Sequence, residues 1–105
     1  MSYSVAFSPE ALAQLDALED YIGHTGSPLA AARLVDNIIG YCESLALFPQ
    51  RGNRRDDVLP HLRITHYRHT TAIAFRVEPD IQKVSILGVF YGGQNYSALL
   101  SHDEE

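Results

Sequence analysis

The sequence is short of cysteine, of cations and of long apolar stretches, and each shortage excludes a class of protein. Its single cysteine, Cys42, cannot form an internal disulfide, which excludes a disulfide-stabilised secreted scaffold. No apolar run approaches the roughly 20 residues that span a bilayer, and residues 1–4 lack the basic segment of a signal peptide. We therefore expect a cytoplasmic protein with no membrane partner, in which Cys42 is a buried structural thiol.

Cationic residues are few overall but concentrated in one segment. The chain has 8 Lys and Arg against 13 Asp and Glu, a formal net charge of −5. This balance argues against a protein that coats nucleic acid with its whole surface, and we expect no sequence-specific DNA binding by this chain alone. Residues 51–76 nevertheless hold six arginines and only two aspartates. One region of the protein is therefore basic and the remainder acidic.

Length and composition predict one folded domain. The chain has 105 residues, of which 46% are hydrophobic and 20% charged, values that suit a globular protein with a single modest core. We expect this domain to cover residues 1–98. Residues 99–105 end in acidic side chains and are expected to form a frayed, solvated tail.

The first half of the chain predicts a strand followed by a helical hairpin. Ser4–Phe7 alternates polar and apolar residues, as a short strand does. Ser8-Pro9 and Ser27-Pro28 each supply an N-cap and a proline at the first helical position. Apolar residues then recur at three- and four-residue spacing. The pattern predicts a first helix that ends before Gly23 and a second helix of about 20 residues that ends at Pro49.

The second half predicts a surface loop and three strands. Residues 49–60 are rich in proline, glycine and charge, which is typical of a loop. Residues 62–67, 71–77 and 83–91 are rich in β-branched and aromatic side chains, and short turns between them favour antiparallel pairing. The resulting order is β-α-α-β-β-β. This order predicts an α+β fold in which the helical hairpin packs on one face of a mostly antiparallel sheet.

Five segments, in the same order along nearly the whole chain, resemble ParE-type toxins of the ParE/RelE toxin–antitoxin superfamily: Phe7-Ser8-Pro9-Glu10-Ala11, Ser27-Pro28-Leu29-Ala30-Ala31, Leu47 to Asp57, Pro60-His61-Leu62-Arg63 and Val89 to Asn95. The resemblance implies the toxin of a type II toxin–antitoxin system, neutralised by a cognate antitoxin that wraps an extended or helical tail around it. It further implies that the toxin inhibits DNA gyrase by binding, without an enzymatic reaction. RelE-type relatives share the fold and instead cut messenger RNA on the ribosome.

Two positions depart from the pattern of the family. Relatives often carry glycine where His61 stands, and often Arg-Asp where Gln94-Asn95 stands. The second departure removes a positive charge from the end of the last strand. It leaves open a third interpretation, an antitoxin-binding homologue with weakened or lost toxicity.

Arginines of the basic segment are the main candidates for contact with a target, because guanidinium groups pair bidentately with carboxylate or phosphate. Together with two residues near the end of the last strand they form the predicted target-binding set: Arg51, Arg54, Arg55, Arg63, Arg68, Tyr91 and Gln94. In the alternative, Asp56 and Asp57 pair with Arg54 and Arg55 locally, which leaves only a solvated loop.

A ribonuclease that works without a metal needs a base, an acid and cationic groups around one phosphate. If the chain is RelE-like, the predicted catalytic set is Arg54, Arg55, Arg63, His69 and Tyr96. The basic loop has no lysine and the last strand ends in Gln94, so we expect a protein without catalytic residues. We also expect no cofactor and no metal, because the three-residue spacing of His66 and His69 across a strand and turn does not put both imidazoles on one face.

Overall fold

The structure is a computed structural model that describes residues 3–92 and residue 100. Two helices pack on a five-stranded sheet, which confirms the predicted α+β class. The elements, in chain order, are β1 (Ser4–Phe7), α1 (Pro9–Thr25), α2 (Pro28–Glu43), a 3-10 turn (Ser44–Ala46), β2 (Asn53–Arg54), β3 (Leu62–Tyr67), β4 (Thr71–Glu78), a second 3-10 turn (Pro79–Ile81) and β5 (Lys83–Tyr91).

The sheet has the strand order β1-β5-β4-β3-β2. β1 runs parallel to β5, and the other neighbours are antiparallel. The chain between these two strands contains both helices and the other three strands, so the parallel pair has the long connection that it requires. β2 was not predicted, since a pair of polar residues inside a proline- and glycine-rich loop has no strand pattern. It forms because Asn53 and Arg54 pair with Ile64 and Arg63 at the edge of β3.

Both helices begin where the sequence predicts. The Ser8 hydroxyl accepts a hydrogen bond from the Ala11 N–H at 3.0 Å, and the Ser27 hydroxyl accepts one from the Ala30 N–H at 3.3 Å. These bonds satisfy N–H groups that have no partner inside the helix.

The predicted helix ends were wrong in both cases. α1 continues through Gly23 to Thr25, because glycine is tolerated inside a helix and the chain turns only at Gly26, whose N–H donates to the Ile22 carbonyl at 2.8 Å. α2 has 16 residues and ends at Glu43. There the Ser44 hydroxyl donates to the Tyr41 carbonyl, and the chain tightens into a 3-10 turn before it reaches Pro49.

Both faces of the sheet are covered. The face toward the helices carries the larger hydrophobic cluster, which includes Ile38, Phe75 and Ile86. The opposite face carries a smaller cluster: Val58, Leu62, Ile64, Ala72, Ala74, Phe90 and Leu100. β4 alternates between the two faces as predicted. The loop between β2 and β3 is less exposed than expected, since its Val58 is only 7% exposed.

β5 contains a β-bulge close to its contact with α1. Ala74 of β4 pairs with Gly88 while the next residue, Phe75, pairs with Ile86, so Leu87 is the extra residue. β1 stops pairing with β5 at Ile86. Beyond this residue, a side chain of α1 bonds to the backbone of β5. The Gln14 Oε1 atom accepts a hydrogen bond from the Val89 N–H at 2.7 Å.

The predicted boundary at residue 98 stays a prediction. Leu100, inside the expected frayed tail, is 6% exposed and belongs to the smaller cluster. The other residues of that expected tail lie outside the described residues. In the part of the chain that is described, no helix is both long and apolar enough to cross a membrane.

Candidate target-binding surface

The loop arginines, Arg54 and Arg55, are paired with nearby carboxylates. Arg54 contacts both carboxylate oxygens of Asp56, at 3.0 and 3.1 Å. Arg55 contacts both oxygens of Asp57, at 2.9 and 3.0 Å. Each pair is bidentate, the strongest arrangement for this type of contact. The positive charge of the loop is therefore offset within the loop.

These contacts lower the pKa of both aspartates. The hydrogen bond from Arg54, followed by that from the His61 N–H at 2.8 Å, lowers the pKa of Asp56. The hydrogen bond from Arg55 lowers the pKa of Asp57. Hydrogen bonds to the ionised form favour that form. Both carboxylates remain charged near neutral pH and keep the loop arginines occupied, as the local-pairing alternative requires.

Arg63 holds the backbone of the preceding segment. Its guanidinium donates to the carbonyls of Gln50 at 2.5 Å, Arg51 at 3.2 Å and Gly52 at 3.3 Å. Gly52 makes this arrangement possible, because its φ is +80° and a Cβ there would collide with the carbonyl of Ile64. The position of Arg63 thus has a structural explanation.

Arg51 lies between two aromatic rings on the helix-covered side of the sheet. Its guanidinium carbon is 5.2 Å from the ring centre of Tyr41 and 5.2 Å from that of Phe48. Tyr41 packs against Tyr67 with ring centres 5.4 Å apart. The Arg68 guanidinium carbon is in turn 5.2 Å from the Tyr67 ring. We call this set, in the spatial order Phe48, Arg51, Tyr41, Tyr67 and Arg68, the aromatic–arginine row.

The row is fixed to the sheet, and no carboxylate among the described residues pairs with its two arginines. The hydroxyls of Tyr41 and Thr65 are 2.9 Å apart and hydrogen-bonded, which ties α2 to β3. Within residues 3–92 and 100, neither Arg51 nor Arg68 forms an ion pair. Of the arginines predicted to contact a target, these two therefore keep the most hydrogen-bonding capacity for an external acidic group.

Tyr91 lies at the same end of the sheet as Tyr67. Tyr67 pairs with Thr71, and Thr71 pairs with Tyr91, so all three side chains point to one face. Tyr91 also lines a groove of about 370 Å³ between α1 and β5, together with Gln14, Ala17, Leu18, Tyr21, Val89 and Gly92. The predicted residues Gln94 and Tyr96 lie outside the described residues.

The remaining reactive side chains are dispersed. His66 and His69 are both exposed, and no group of three His, Cys, Asp or Glu side chains among the described residues is placed to hold a metal ion. Cys42, near the end of α2, is fully buried, and burial raises the pKa of its thiol to about 12. Its sulfur therefore stays protonated.

Sequence reasoning missed the aromatic members of the row. None of Tyr41, Phe48 and Tyr67 belongs to the predicted target-binding set. The available signal was the proximity of Phe48 to Arg51 and of Tyr67 to Arg68 in the sequence. The contact between Tyr41 and Tyr67 joins the two halves of the row and depends on tertiary packing.

Solved structures define the class of protein that shares this fold, namely the toxins of ParDE and RelBE systems. The chromosomal ParDE system of P. aeruginosa is 25% identical with a TM-score of 0.72, covering 87% of this chain and 97% of that chain. The RelBE2 toxin–antitoxin complex of Mycobacterium tuberculosis is 22% identical with a TM-score of 0.61, covering 87% and 99%. A mutant of E. coli toxin RelE in the free state is 14% identical with a TM-score of 0.68, covering 99% and 98%.

The match to a family model is more specific than the structural similarity, because it identifies one family among these toxins. The model of the ParE toxin of type II toxin–antitoxin system, parDE, matches residues 5–96. The chain belongs to this ParE toxin family, and the resemblance seen in the sequence is confirmed. A comparison with curated proteins gave no match.

Proposed function

We propose that this ParE-family protein is a cytoplasmic toxin that inhibits DNA gyrase by binding, without turning over a substrate, and that a cognate antitoxin neutralises it. The observation that carries the proposal is the state of the arginines. Arg54 and Arg55 are paired with Asp56 and Asp57, and Arg63 is bonded to backbone carbonyls. These are the cations that the ribonuclease alternative needs, and a phosphate would have to displace their partners.

The alternative of a RelE-like, ribosome-dependent endoribonuclease has weaker support. A general acid or base must reach the reacting phosphate together with the cations. His69, its candidate histidine, lies exposed in the turn between β3 and β4, whereas Arg54 lies on β2 at the edge of the sheet. Structural likeness to RelE concerns the fold, whereas the sequence match over residues 5–96 is to the ParE family. Both points favour binding over cleavage.

The apolar groove between α1 and the end of β5 is the proposed binding site for a segment of the antitoxin. The groove is lined partly by Leu18, Val89 and Tyr91. On α1, Leu12 is 50% exposed and Tyr21 60% exposed. Apolar surface of this kind beside a helix suits an amphipathic helix or a strand of a partner. We expect the cognate antitoxin to cover it.

The proposal is tested by gyrase supercoiling and DNA cleavage in the presence of the purified protein, with and without the product of the neighbouring open reading frame. We expect cleaved DNA to accumulate with the toxin alone and to disappear when the antitoxin is added. Unaffected gyrase at saturating toxin would refute the proposal. If the toxin is inactive because of Gln94, the Gln94→Arg variant should accumulate cleaved DNA while the wild type does not.

A further inference from the structure

We propose that the aromatic–arginine row is the contact surface for gyrase, and that it receives an acidic segment of the gyrase protein that also carries an apolar side chain. This inference rests on the proposed function, since it assigns the surface through which the toxin holds its target. It also separates the predicted arginines into two groups. Arg51 and Arg68 make the contact, whereas Arg54, Arg55 and Arg63 maintain the loop.

The first argument is that the two arginines of the row are held in place before binding. An arginine side chain loses conformational entropy when it is immobilised in an interface. Stacking of Arg51 on Tyr41 and Phe48, and of Arg68 on Tyr67, restricts the side chains in advance. A stacked guanidinium still presents its N–H groups at its edge, where a carboxylate binds bidentately. An acidic partner therefore meets two prepared cations.

The second argument is the apolar surface beside Arg51. Leu47 is 67% exposed and Phe48 is 56% exposed, immediately after the 3-10 turn that follows α2. With Pro49, Gln50 and Arg51 they line a shallow pocket of about 430 Å³. A water-exposed apolar pocket next to a cation fits a segment that carries an apolar side chain near a carboxylate. The row and the pocket together therefore specify the chemistry of the occupant.

The third argument is the backbone of Arg68. Its φ is +55°, a left-handed conformation in which glycine is the least strained residue. Strain of this kind persists where the surrounding structure enforces it, here the turn between β3 and β4, and it is frequent at functional sites. The side chain of Arg68 is exposed and stacks on Tyr67, and no ion pair within the described residues accounts for it. A role for the guanidinium in binding explains why arginine occupies this turn.

A protein segment fits this surface better than DNA does. The chain has a net charge of −5, which opposes approach to a polyanion except at a small basic patch. The exposed side chains of Leu47 and Phe48 are also covered more completely by an apolar side chain of a protein segment than by a hydrated sugar–phosphate backbone. The occupant is therefore assigned to the gyrase protein and not to the DNA that gyrase holds.

The test measures the affinity of purified DNA gyrase holoenzyme for the immobilised toxin, first without DNA and then with it. Arg51→Ala and Arg68→Ala should each weaken binding about tenfold or more, the effect of removing a charged hydrogen-bonding partner from an interface. Arg33→Ala, which removes one exposed positive charge from α2, is the matched control and should leave the affinity unchanged.

Arg68→Gly is a second variant that tests the same contact if the alanine variant does not fold. Glycine suits the φ of this position, so the variant should be at least as stable as the wild type and should still bind gyrase about tenfold more weakly. Phe48→Ala should also weaken binding, because it removes both the apolar contact and one stacking ring of Arg51.

Each outcome decides between the claims. If wild-type toxin binds gyrase and the row variants bind equally well, this surface assignment is wrong and the proposed function stands. If the wild type neither binds nor inhibits gyrase, both are wrong. If the row variants lose affinity only when DNA is present, the row contacts DNA, and the assignment to an acidic protein segment is overturned.

Discussion

Replacing His61 with glycine should stabilise the protein. His61 is exposed and has a φ of +64°, in the left-handed region. A residue with a Cβ destabilises the folded state by roughly 1–2 kcal/mol in this conformation. Glycine avoids that strain but loses about 0.5–1 kcal/mol more backbone entropy on folding. From the middle of each range, the net effect of His61→Gly is a gain of about 0.75 kcal/mol in the free energy of unfolding.

The surrounding contacts should survive this substitution. Asp56 accepts a hydrogen bond from the His61 backbone N–H, which glycine also has, and the substitution removes only the small Coulombic attraction between the exposed His61 side chain and Asp56. A gain of this size raises the Tm of a domain of about 100 residues by roughly 2–8 °C. The histidine at position 61 would then cost stability and leave the fold intact.

Thermal unfolding followed by circular dichroism, together with urea titration, measures the effect. His61→Ala is the control, because it removes the ring but keeps the Cβ, and it should show no gain. A His61→Gly variant that is no more stable than the wild type would show that the left-handed backbone at this position carries no strain.

Three further predictions concern the anchor of α1, the buried thiol and the loop. Gln14→Ala should lower the free energy of unfolding by about 1–3 kcal/mol, because the Val89 N–H loses its partner; an unchanged urea midpoint would argue against the bond. Cys42, with a pKa raised to about 12, should react with a disulfide reagent at pH 8 only in denaturant; rapid labelling of the native protein would contradict its burial. Arg54→Ala should raise the pKa of Asp56 in an NMR titration. Because the folded-state pKa of Asp56 is depressed, the contribution of its ionised carboxylate to stability is present above its usual pKa of 3.8 and is lost as pH falls through the folded value.

Local signals in the sequence were sufficient to predict the order of the two helices and of the four longer strands. Ser8-Pro9 and Ser27-Pro28 cap the helices as expected, because a cap depends on a few adjacent residues. β2 depends instead on a distant partner, since Asn53 becomes a strand residue only by pairing with Ile64. The bulge at Leu87 also depends on a distant partner, because it is defined by the register of β5 against β4.

The candidate surface was predictable in composition but not in arrangement. The sequence shows an arginine-rich segment, yet it does not distinguish Arg54, whose partner is two residues away, from Arg51, whose ring partner Tyr41 lies on a helix. The structural role of Arg63 is seen in its bonds to the carbonyls of residues 50–52. Charge is a property of the sequence, whereas the availability of that charge depends on the fold.

The central claim is tested most directly by two assays on one preparation of the purified toxin: gyrase-mediated cleavage of plasmid DNA, and cleavage of messenger RNA on translating ribosomes. The proposed function predicts that cleaved DNA accumulates while the message stays intact. Cut message together with unaffected gyrase would contradict it and assign the protein to the ribonuclease activity, with His69 and Tyr96 as the first residues to substitute.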